Sequence, residues 1–466
     1  MINQYDIVII GSGPAGEKAA MEATRLGASV AVIEKEFQPG GASVISGTIP
    51  SKSIRETVQY VDLLTHDEIS GLKAHLDNPI SIKELMYRKN KVVEQRVEDI
   101  YSRYAKSGID YINGVAEFIG PHKISVILCK TEEKITLTAK KTIIAVGTKP
   151  YHPDDVIFDG KLILDSDTIL KLDFVPDEIA IYGGGVIGCE YASIFSKLGT
   201  KVTLIDPRER LLDFIDQEVS EYLTEKMRES NVELKLNQQY KTIRLVNDQV
   251  HILFGSGEKM ITPCLFYANG RQGLADLLNL EAVGLKANKR SQLDVNQNYQ
   301  TQIPHIYGVG DVIGFPSLVS VSNEEGRLAA RNAVLGQDVY RISGVIPYGI
   351  YTIPEIATIG PTEYQLKEKG VDYVAGKSQF DELARAMIIG RKEGFLKILF
   401  DRDSKRLLAT HIIGHLASEL VHIAQAVIHY RGTVDFFAES VINFPSLSSA
   451  YKNATIEALE KIGGNA

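Results

Sequence analysis

One device, written twice, constrains this chain of 466 residues more than anything else in it. The first copy runs through the apolar stretch Ile7–Ile10, the turn Gly11-Ser12-Gly13-Pro14-Ala15-Gly16, a helix-patterned stretch to about Leu26, and Ser29–Glu34. The second runs through Ile179–Tyr182, the turn Gly183-Gly184-Gly185-Val186-Ile187-Gly188, a helix-patterned stretch to Leu198, and Lys201–Asp206. In both, the acid follows the first glycine by 23 positions. A pyrophosphate needs the backbone to come close: the first glycine makes the tight turn, the second admits the phosphate, and the third lets the helix pack on the strand. The helix N-terminus then faces the anion, and the acid accepts hydrogen bonds from a ribose diol. One such turn is equally compatible with a plain strand–turn–helix. Two in full strand context predict two dinucleotide sites on an α/β scaffold. Two dinucleotides in one chain imply a flavin and a nicotinamide nucleotide, because a hydride moves between two carriers.

The rest of the chain organises around these copies. A helix is expected over about Ser81 to Lys106, with Leu85, Val92, Val93, Val97, Ile100 and Tyr104 as its apolar stripe. A strand-rich piece follows from about Tyr111 to Ile144, and Gly147–Pro153 looks like a crossover between domains. Past Gly273 the pattern breaks into short segments. From about Ile346 it changes again, with strands near Lys397–Phe400 and Leu407–Ile413 and helices near Ser418–Tyr430. The net charge of −8, with no long basic run, argues against nucleic acid or an anionic membrane as a partner. No charged leader or apolar run of about 18 residues opens the chain, so neither a signal peptide nor a membrane span is expected. The three cysteines, Cys129, Cys189 and Cys264, show neither metal spacing nor a Cys-x-x-Cys motif. They read as buried reduced thiols in a cytoplasmic protein that carries no metal.

Several further motifs extend the match. They are Gly40-Gly41 leading to Gly47-Thr48-Ile49-Pro50-Ser51-Lys52, Ala145-Val146-Gly147, Asn269-Gly270-Arg271, Gly308-Val309-Gly310-Asp311 and Tyr351-Thr352-Ile353-Pro354-Glu355. With the two turns, they make the chain resemble the pyridine-nucleotide disulfide oxidoreductases, the family of dihydrolipoamide dehydrogenase and glutathione reductase, over essentially its whole length. The resemblance implies two Rossmann-like dinucleotide-binding domains of the glutathione-reductase kind and an α+β dimerisation domain. Its order places FAD binding in 1–150, NAD(P) binding in 151–275, a central domain completing the FAD site in 276–346, and the interface domain in 347–466. It also implies a homodimer or larger homo-oligomer, with Phe444 and Pro445 at the interface.

By position, the resemblance assigns FAD to Gly11, Gly13, Pro14, Ala15, Gly16, Glu34, Lys35, Gly41, Ser43, Thr48, Lys52, Gly147, Gly310, Asp311 and Val319. Within that set, Glu34 would meet the adenosine ribose and Asp311 the ribityl–phosphate part. Lys52 would lie beside flavin N5, paired with Glu190, where a cation stabilises charge developing on the reduced ring. NAD(P) falls to Gly183, Gly185, Val186, Ile187, Glu190, Asp206, Arg208, Arg210 and Gly270. Val186 replaces an aromatic gate found in some relatives. Asp206 favours the 2′-hydroxyl of NAD, whereas Arg208 and Arg210 suit a 2′-phosphate, so both NAD and NADP are expected substrates.

What is missing decides the expected chemistry. Disulfide reductases of this family carry two cysteines just before the Ile-Pro-Ser-Lys run; here those positions are Ser43 and Thr48. A hydroxyl supplies no thiolate and cannot cycle to a disulfide. The family's C-terminal acid–base pair is a His before a proline and a Glu five positions on. Here these are Phe444 and Ser449, and neither shuttles a proton near neutral pH. A flavin without a sulfur exit can return its electrons to a nicotinamide. The further resemblance is therefore to the family's transhydrogenase branch, carried by Gly147–Pro153, Cys189-Glu190-Tyr191-Ala192-Ser193-Ile194-Phe195 and Gly349–Ile356. It implies FAD-dependent hydride transfer from NADPH to NAD⁺ with ping-pong kinetics. Two alternatives stay open: an NAD(P)H:acceptor diaphorase, and a catalytically idle flavoprotein with a binding role.

Overall fold

Apolar runs without polar alternation, such as Ile7–Ile10 and Ile179–Tyr182, suit strands covered on both faces of a parallel sheet, and both runs become such strands. The computed structural model describes residues 3–66, 81–336, 342 and 344–461. The portions of the expected domains at 1–2, 67–80, 337–341, 343 and 462–466 lie outside the described residues. The chain divides into two compact units: one from Met1–Ile54, Lys83–His152 and Gly270–Ile342, the other from Arg55–Ile82, Pro153–Asn269 and Ser343–Ala466.

In the first unit, strand Gln4–Ile10 pairs in parallel with Val30–Glu34 on one side and with Lys134–Ile144 on the other. Asp110–Gly120 adds in parallel outside Val30–Glu34, and Ile306–Gly308 outside Lys134–Ile144. The long strand Asp110–Gly120 changes partner midway: Asn113 is the last residue opposite Glu34, and Gly114 the first opposite the antiparallel strand Lys123–Leu128. A side chain at Gly114 would run into Val126 and the Ile127 carbonyl oxygen. Helix Pro14–Arg25 buries Ala15, Ala19, Ala20 and Ala23, and it shares a core with Ala329, Ala330 and Ala333 of helix Val319–Leu335. These small side chains let two backbones approach so closely that any Cβ on Gly326 would collide with the Ala15 carbonyl oxygen. The expected scaffold helix is Ile82–Ser107. It buries Leu85, Val97, Ile100 and Tyr104, while Val92 and Val93 are half-buried.

In the second unit, a parallel sheet runs in the order Val232–Leu236, Lys201–Asp206, Glu178–Tyr182, Leu265–Tyr267, Ile163–Leu164. Beside it is a three-stranded antiparallel piece, Tyr240–Val246, Gln249–Phe254 and Lys259–Thr262. The C-terminal part is a five-stranded antiparallel sheet. Its strands Gly394–Asp401 and Leu407–Gly414, and the helix Ala417–His429, fall where the sequence expects them. Helix Ser449–Lys461 lies so close to strand Tyr373–Gln379 that a Cβ on Gly376 would meet the Ala454 carbonyl oxygen.

Lys397, only 3% exposed in its side chain, reaches Asp216 at 3.0 Å and also pairs with Glu363. Asp216 precedes helix Gln217–Glu229 but caps none of its N–H groups. Its carboxylate is committed to Lys397 instead. Burial alone would lower the Lys397 pKa, but Glu363 and Asp216 outweigh it and hold the ammonium above its ordinary value. Helix Gln217–Glu229 is thereby tethered to the C-terminal sheet, with Tyr222 Oη accepting from Gly394 N–H at 2.8 Å.

The cysteines need one correction. Cys189 and Cys264 are buried, but Cys129 is exposed just past the end of strand Lys123–Leu128, where the chain turns into solvent. None of the three is in a disulfide. Among the described residues, no helix is long and apolar enough to cross a membrane, and no group of three His, Cys, Asp or Glu is placed to hold a metal ion.

Candidate dinucleotide sites

The first turn is built by constraint on backbone space. Gly11 has φ +105°, and a Cβ there would strike the Ala145 carbonyl; a Cβ on Gly16 would strike the Gly11 carbonyl oxygen. Gly11 N–H donates to Ile33 O at 2.8 Å, tying the turn to the next strand. Helix Pro14–Arg25 starts from an extended Gly13 with no side-chain cap, so its first N–H groups have no intrahelical acceptor. Across from Gly13 lies Gly41, with φ +58°. A Cβ on Gly41 would come within 2.8 Å of Gly13 Cα, so this crevice is walled by backbone alone. Such a cradle, at an uncapped helix start, fits a dinucleotide pyrophosphate.

Glu34 is 6% exposed and takes three donors: Ser12 N–H at 2.9 Å and Ser12 Oγ–H at 2.7 Å on Oε2, and Glu36 N–H at 2.9 Å on Oε1. Ser12 Oγ in turn accepts from Gly40 N–H at 3.2 Å. Lys35 is a surface residue 3.5 Å from Glu36, apart from this network. Gly147 has φ +68° at the start of strand Thr148–Pro150. That strand pairs with Arg271–Gly273, where Arg271 Nε donates to Thr148 Oγ1 at 2.9 Å.

Thr148 Oγ1–H in turn points to Asp311 Oδ2 at 3.3 Å. Gly310 (φ +75°) passes against Ala15, and its N–H donates to Glu325 at 2.8 Å. Burial pushes Asp311 above the usual carboxylate range, against the pull of Arg271, Thr148 and Ser322. Burial, with Asp311 adding to it, pushes Glu325 up to about 7. Val319 opens the helix that carries Glu325.

Ser43 and Thr48 occupy two short steps of the same unit. Ser43 Oγ–H donates to Gly40 O at 3.2 Å in helix Gly41–Ile45, and Thr48 is the exposed first residue of helix Thr48–His66. Lys52 is half-buried one turn further on, with Nζ 3.4 Å from Ser51 Oγ. Lys52 belongs to the first unit and Glu190 to the second.

The second turn repeats the first closely. Gly183 has φ +121° and would strike Ala268 O with a Cβ; Gly188 would strike Gly183 O; Gly183 N–H donates to Ile205 O at 2.8 Å. Helix Val186–Lys197 starts from an uncapped, extended Gly185, with Val186 and Ile187 half-buried in its first turn. Gly270 (φ +101°) opens the last segment of the first unit, one residue past this unit's Asn269. Glu190, 4% exposed, accepts from Tyr351 N–H at 2.9 Å.

The acid of this turn differs from Glu34. Asp206 is 1% exposed and takes Gly184 N–H and Arg208 Nη2–H on Oδ2, and Arg208 N–H and Nε–H on Oδ1. Burial disfavours the charged form, but the Arg208 guanidinium and the two backbone N–H groups outweigh it and hold the carboxyl below the usual range. Arg208 and Arg210, the residues expected to suit a 2′-phosphate, both have protein partners here. Arg208 is committed to Asp206 and, at 2.8 Å, to Asp213; Arg210 donates to the Asp213 carbonyl at 2.8 Å. Both arginines line an open cleft of about 640 Å³ with Arg228 and Thr224 of helix Gln217–Glu229.

Four functional candidates escaped the sequence reading. Ser12 and Asp213 are ordinary loop residues in one dimension. Glu325 is a charge among small residues of a helix face, which is a usable signal. Arg55 lies three positions past Lys52. It is 3% exposed and donates to Thr352 O at 3.2 Å and to Glu355 at 3.1 Å. The Tyr351–Glu355 motif contains that partner.

Comparison with known proteins agrees with this geometry. Residues 5–326 match the family model described as pyridine nucleotide-disulphide oxidoreductase, and 346–455 match that family's dimerisation domain. The chain is similar to proteins named soluble pyridine nucleotide transhydrogenase from Salmonella gallinarum and from an Enterobacter strain, each 42% identical over 98% of both chains. Among solved structures, it resembles LpdA from Mycobacterium tuberculosis (TM-score 0.89, 26% identity, 98% of this chain and 99% of that one). It also resembles the HOCl-induced flavoprotein disulfide reductase RclA from Escherichia coli (TM-score 0.87, 25% identity, 97% and 99%). With the model matched across both parts and full-length relatives at this identity, the chain belongs to the pyridine nucleotide-disulphide oxidoreductase family.

Proposed function

We propose that this chain is an FAD enzyme that transfers hydride between NADPH and NAD⁺, a cytoplasmic homodimer with the four-domain order given above. The observation that carries the reading is a contrast within one molecule. Both glycine turns keep their complete backbone geometry and their buried acids, while Ser43 and Thr48 stand where a disulfide-reducing relative needs its cysteines. The names of the full-length relatives add support. Val441 and Phe444, 99% and 77% exposed within the matched dimerisation domain, support self-association.

When bound, the flavin supplies a two-electron carrier between one nicotinamide and the next. The chain's own residues supply the rest. The two helix starts hold pyrophosphates, Glu34 orients one ribose through its remaining acceptor capacity, and Asp206 is the acid at the other. Lys52 supplies a fixed positive charge, and the Ser43 and Thr48 hydroxyls keep electrons from leaving onto sulfur. One nicotinamide site used in turn by donor and acceptor gives ping-pong kinetics.

The test is anaerobic mixing of the yellow protein with NADPH, followed by NAD⁺, watched by flavin absorbance. Bleaching and full recovery are expected, with about one hydride equivalent taken up per flavin. Bleaching by NADH alone would replace the transhydrogenase with a diaphorase. No bleaching by either would leave a binding role, and a second equivalent would expose a hidden redox pair.

A further inference from the structure

A carboxylate offers about four lone-pair sites to donors. Glu34 has three of them engaged, all by neutral groups, which leaves one for a ribose hydroxyl. Asp206 has all four engaged, two of them by the Arg208 side chain. With these four donors in place, Asp206 cannot accept a hydroxyl unless Arg208 lets go. Release is feasible. The Arg208 side chain is 38% exposed, and Asp206 would keep two backbone N–H donors, from Gly184 and Arg208 itself. A second partner is already in hand: Arg208 Nη1 touches Asp213, whose side chain is 48% exposed. Asp213 is held in place because Leu211 and Leu212 just before it are fully buried and Leu212 N–H donates to Gly184 O at 3.1 Å.

We propose that Arg208 is a two-position specificity element for the transhydrogenase reaction, an inference that rests on the function proposed above. Its side chain leaves Asp206 whenever a nucleotide seats, and its destination depends on the 2′ position. With a free 2′-hydroxyl, the ribose takes the vacated Asp206 lone pairs and Arg208 falls back on Asp213. With a 2′-phosphate, Arg208 turns onto the phosphate, where a guanidinium binds in a bidentate fork. The cleft holds no standing positive charge to do this by itself: Arg208, Arg210 and Arg228 are matched by Glu209, Asp213 and Glu221. One pocket thus serves both nucleotides without favouring either strongly, and Asp213 sets the balance.

The test measures dissociation constants of NAD⁺ and NADP⁺ on the flavin-loaded enzyme by calorimetry, for wild type, Arg208→Met and Asp213→Asn. Arg208→Met removes a competitor for Asp206, so NAD⁺ is expected to bind about threefold to tenfold tighter while NADP⁺ weakens about thirtyfold or more. Asp213→Asn takes away the fallback position, so NADP⁺ tightens and NAD⁺ weakens, each by about twofold to fivefold. An ordinary phosphate ligand would lose NADP⁺ affinity with NAD⁺ unchanged or weaker, and that result in Arg208→Met overturns the proposal. If Arg208→Met fails to load flavin, Asp213→Asn decides: shifts of equal sign, or none, overturn it. Failure of the wider reading looks different, because wild-type flavin would then not be bleached by NADPH although these binding shifts appear.

Discussion

The two glycine turns differ at Pro14 against Val186 and at Ala15 against Ile187, and around their acids at two further positions. Where the first has Ser12, the second has Gly184; where the first has Glu36, the second has Arg208. In both, the residue after the first glycine and the residue two past the acid give their N–H to the acid. The first turn then adds a hydroxyl from Ser12, and the second adds a guanidinium from Arg208. A hydroxyl satisfies its acid without competing for a charged ligand. A guanidinium neutralises its acid and is itself a ligand for phosphate. On the function proposed above, the first acid would serve a resident cofactor and the second exchangeable substrates.

The sharpest way to break that comparison is to damage each turn identically. Gly11→Val and Gly183→Val both force a branched side chain onto a positive φ and into a carbonyl oxygen, of Ala145 and Ala268 respectively. Gly11→Val is expected to yield protein without bound flavin. Gly183→Val is expected to stay yellow and fail to be bleached by either NADPH or NADH. Flavin content of the purified variants and anaerobic spectra decide it, and loss of flavin from Gly183→Val would show that the sites are not separable.

Next in size is the tether behind the second site. The first turn is braced by small residues, Ala15 against Gly310 and Gly326. The cleft helix Gln217–Glu229 is braced by charge, through Asp216 and Lys397. Lys397→Met leaves Asp216 and Glu363 with no ammonium between them. Breaking such a pair from one side costs about 3–5 kcal/mol. A lowered midpoint in urea unfolding is expected; an unchanged midpoint would mean the tether carries no weight.

How much of this was legible beforehand follows from the range of each interaction. Both turns, their acids, the strand pairs and the helix Ile82–Ser107 were readable, because glycine spacing and apolar period are local signals. The positions of Ser43, Thr48 and Phe444 were readable by resemblance. What stayed hidden was pairing over distance. Arg55 meets Glu355 300 positions away, and Lys397 meets Asp216 181 positions away. For Arg208, the sequence displays a side chain's chemistry and not its commitment to Asp206. Cys129 departs from its expected burial for a similar reason: thiols are usually buried, and the strand's end puts this one in solvent.

A milder test uses the opposite titration of the two sites. Burial raises Glu325 of the first unit from 4.5 to about 7, whereas Arg208 and two N–H groups hold Asp206 of the second below its ordinary value. For a raised acid, the stabilising difference is present below about pH 4.5 and is lost as pH rises through about 7. For Asp206, it is present above its unfolded value and is lost as pH falls. Glu325→Gln removes the first titration while keeping an acceptor for Gly310 N–H. It is expected to stabilise the flavin-free chain at pH 8 by up to about 3 kcal/mol and to have little effect at pH 4.5. A gain of equal size at both values would mean that Glu325 does not titrate in this range.

The smallest effect expected is at Ser12. Ser12→Ala removes the hydroxyl donor to Glu34 and the acceptor for Gly40 N–H, but leaves both backbone N–H groups on the carboxylate. A hydrogen bond to a charged group is worth about 1.5–3 kcal/mol, and the freed lone pair remains open to a ribose hydroxyl, which returns part of that. Flavin is therefore expected to dissociate about fivefold more readily. The ratio of NAD⁺ to NADP⁺ affinity should not change, since Ser12 has no counterpart at Gly184. Cofactor release into ultrafiltrate, measured beside the two nucleotide affinities, checks both halves. A moved ratio would mean that the hydroxyl of the first turn tunes the second, and the division between a resident and an exchanging site would have to be abandoned.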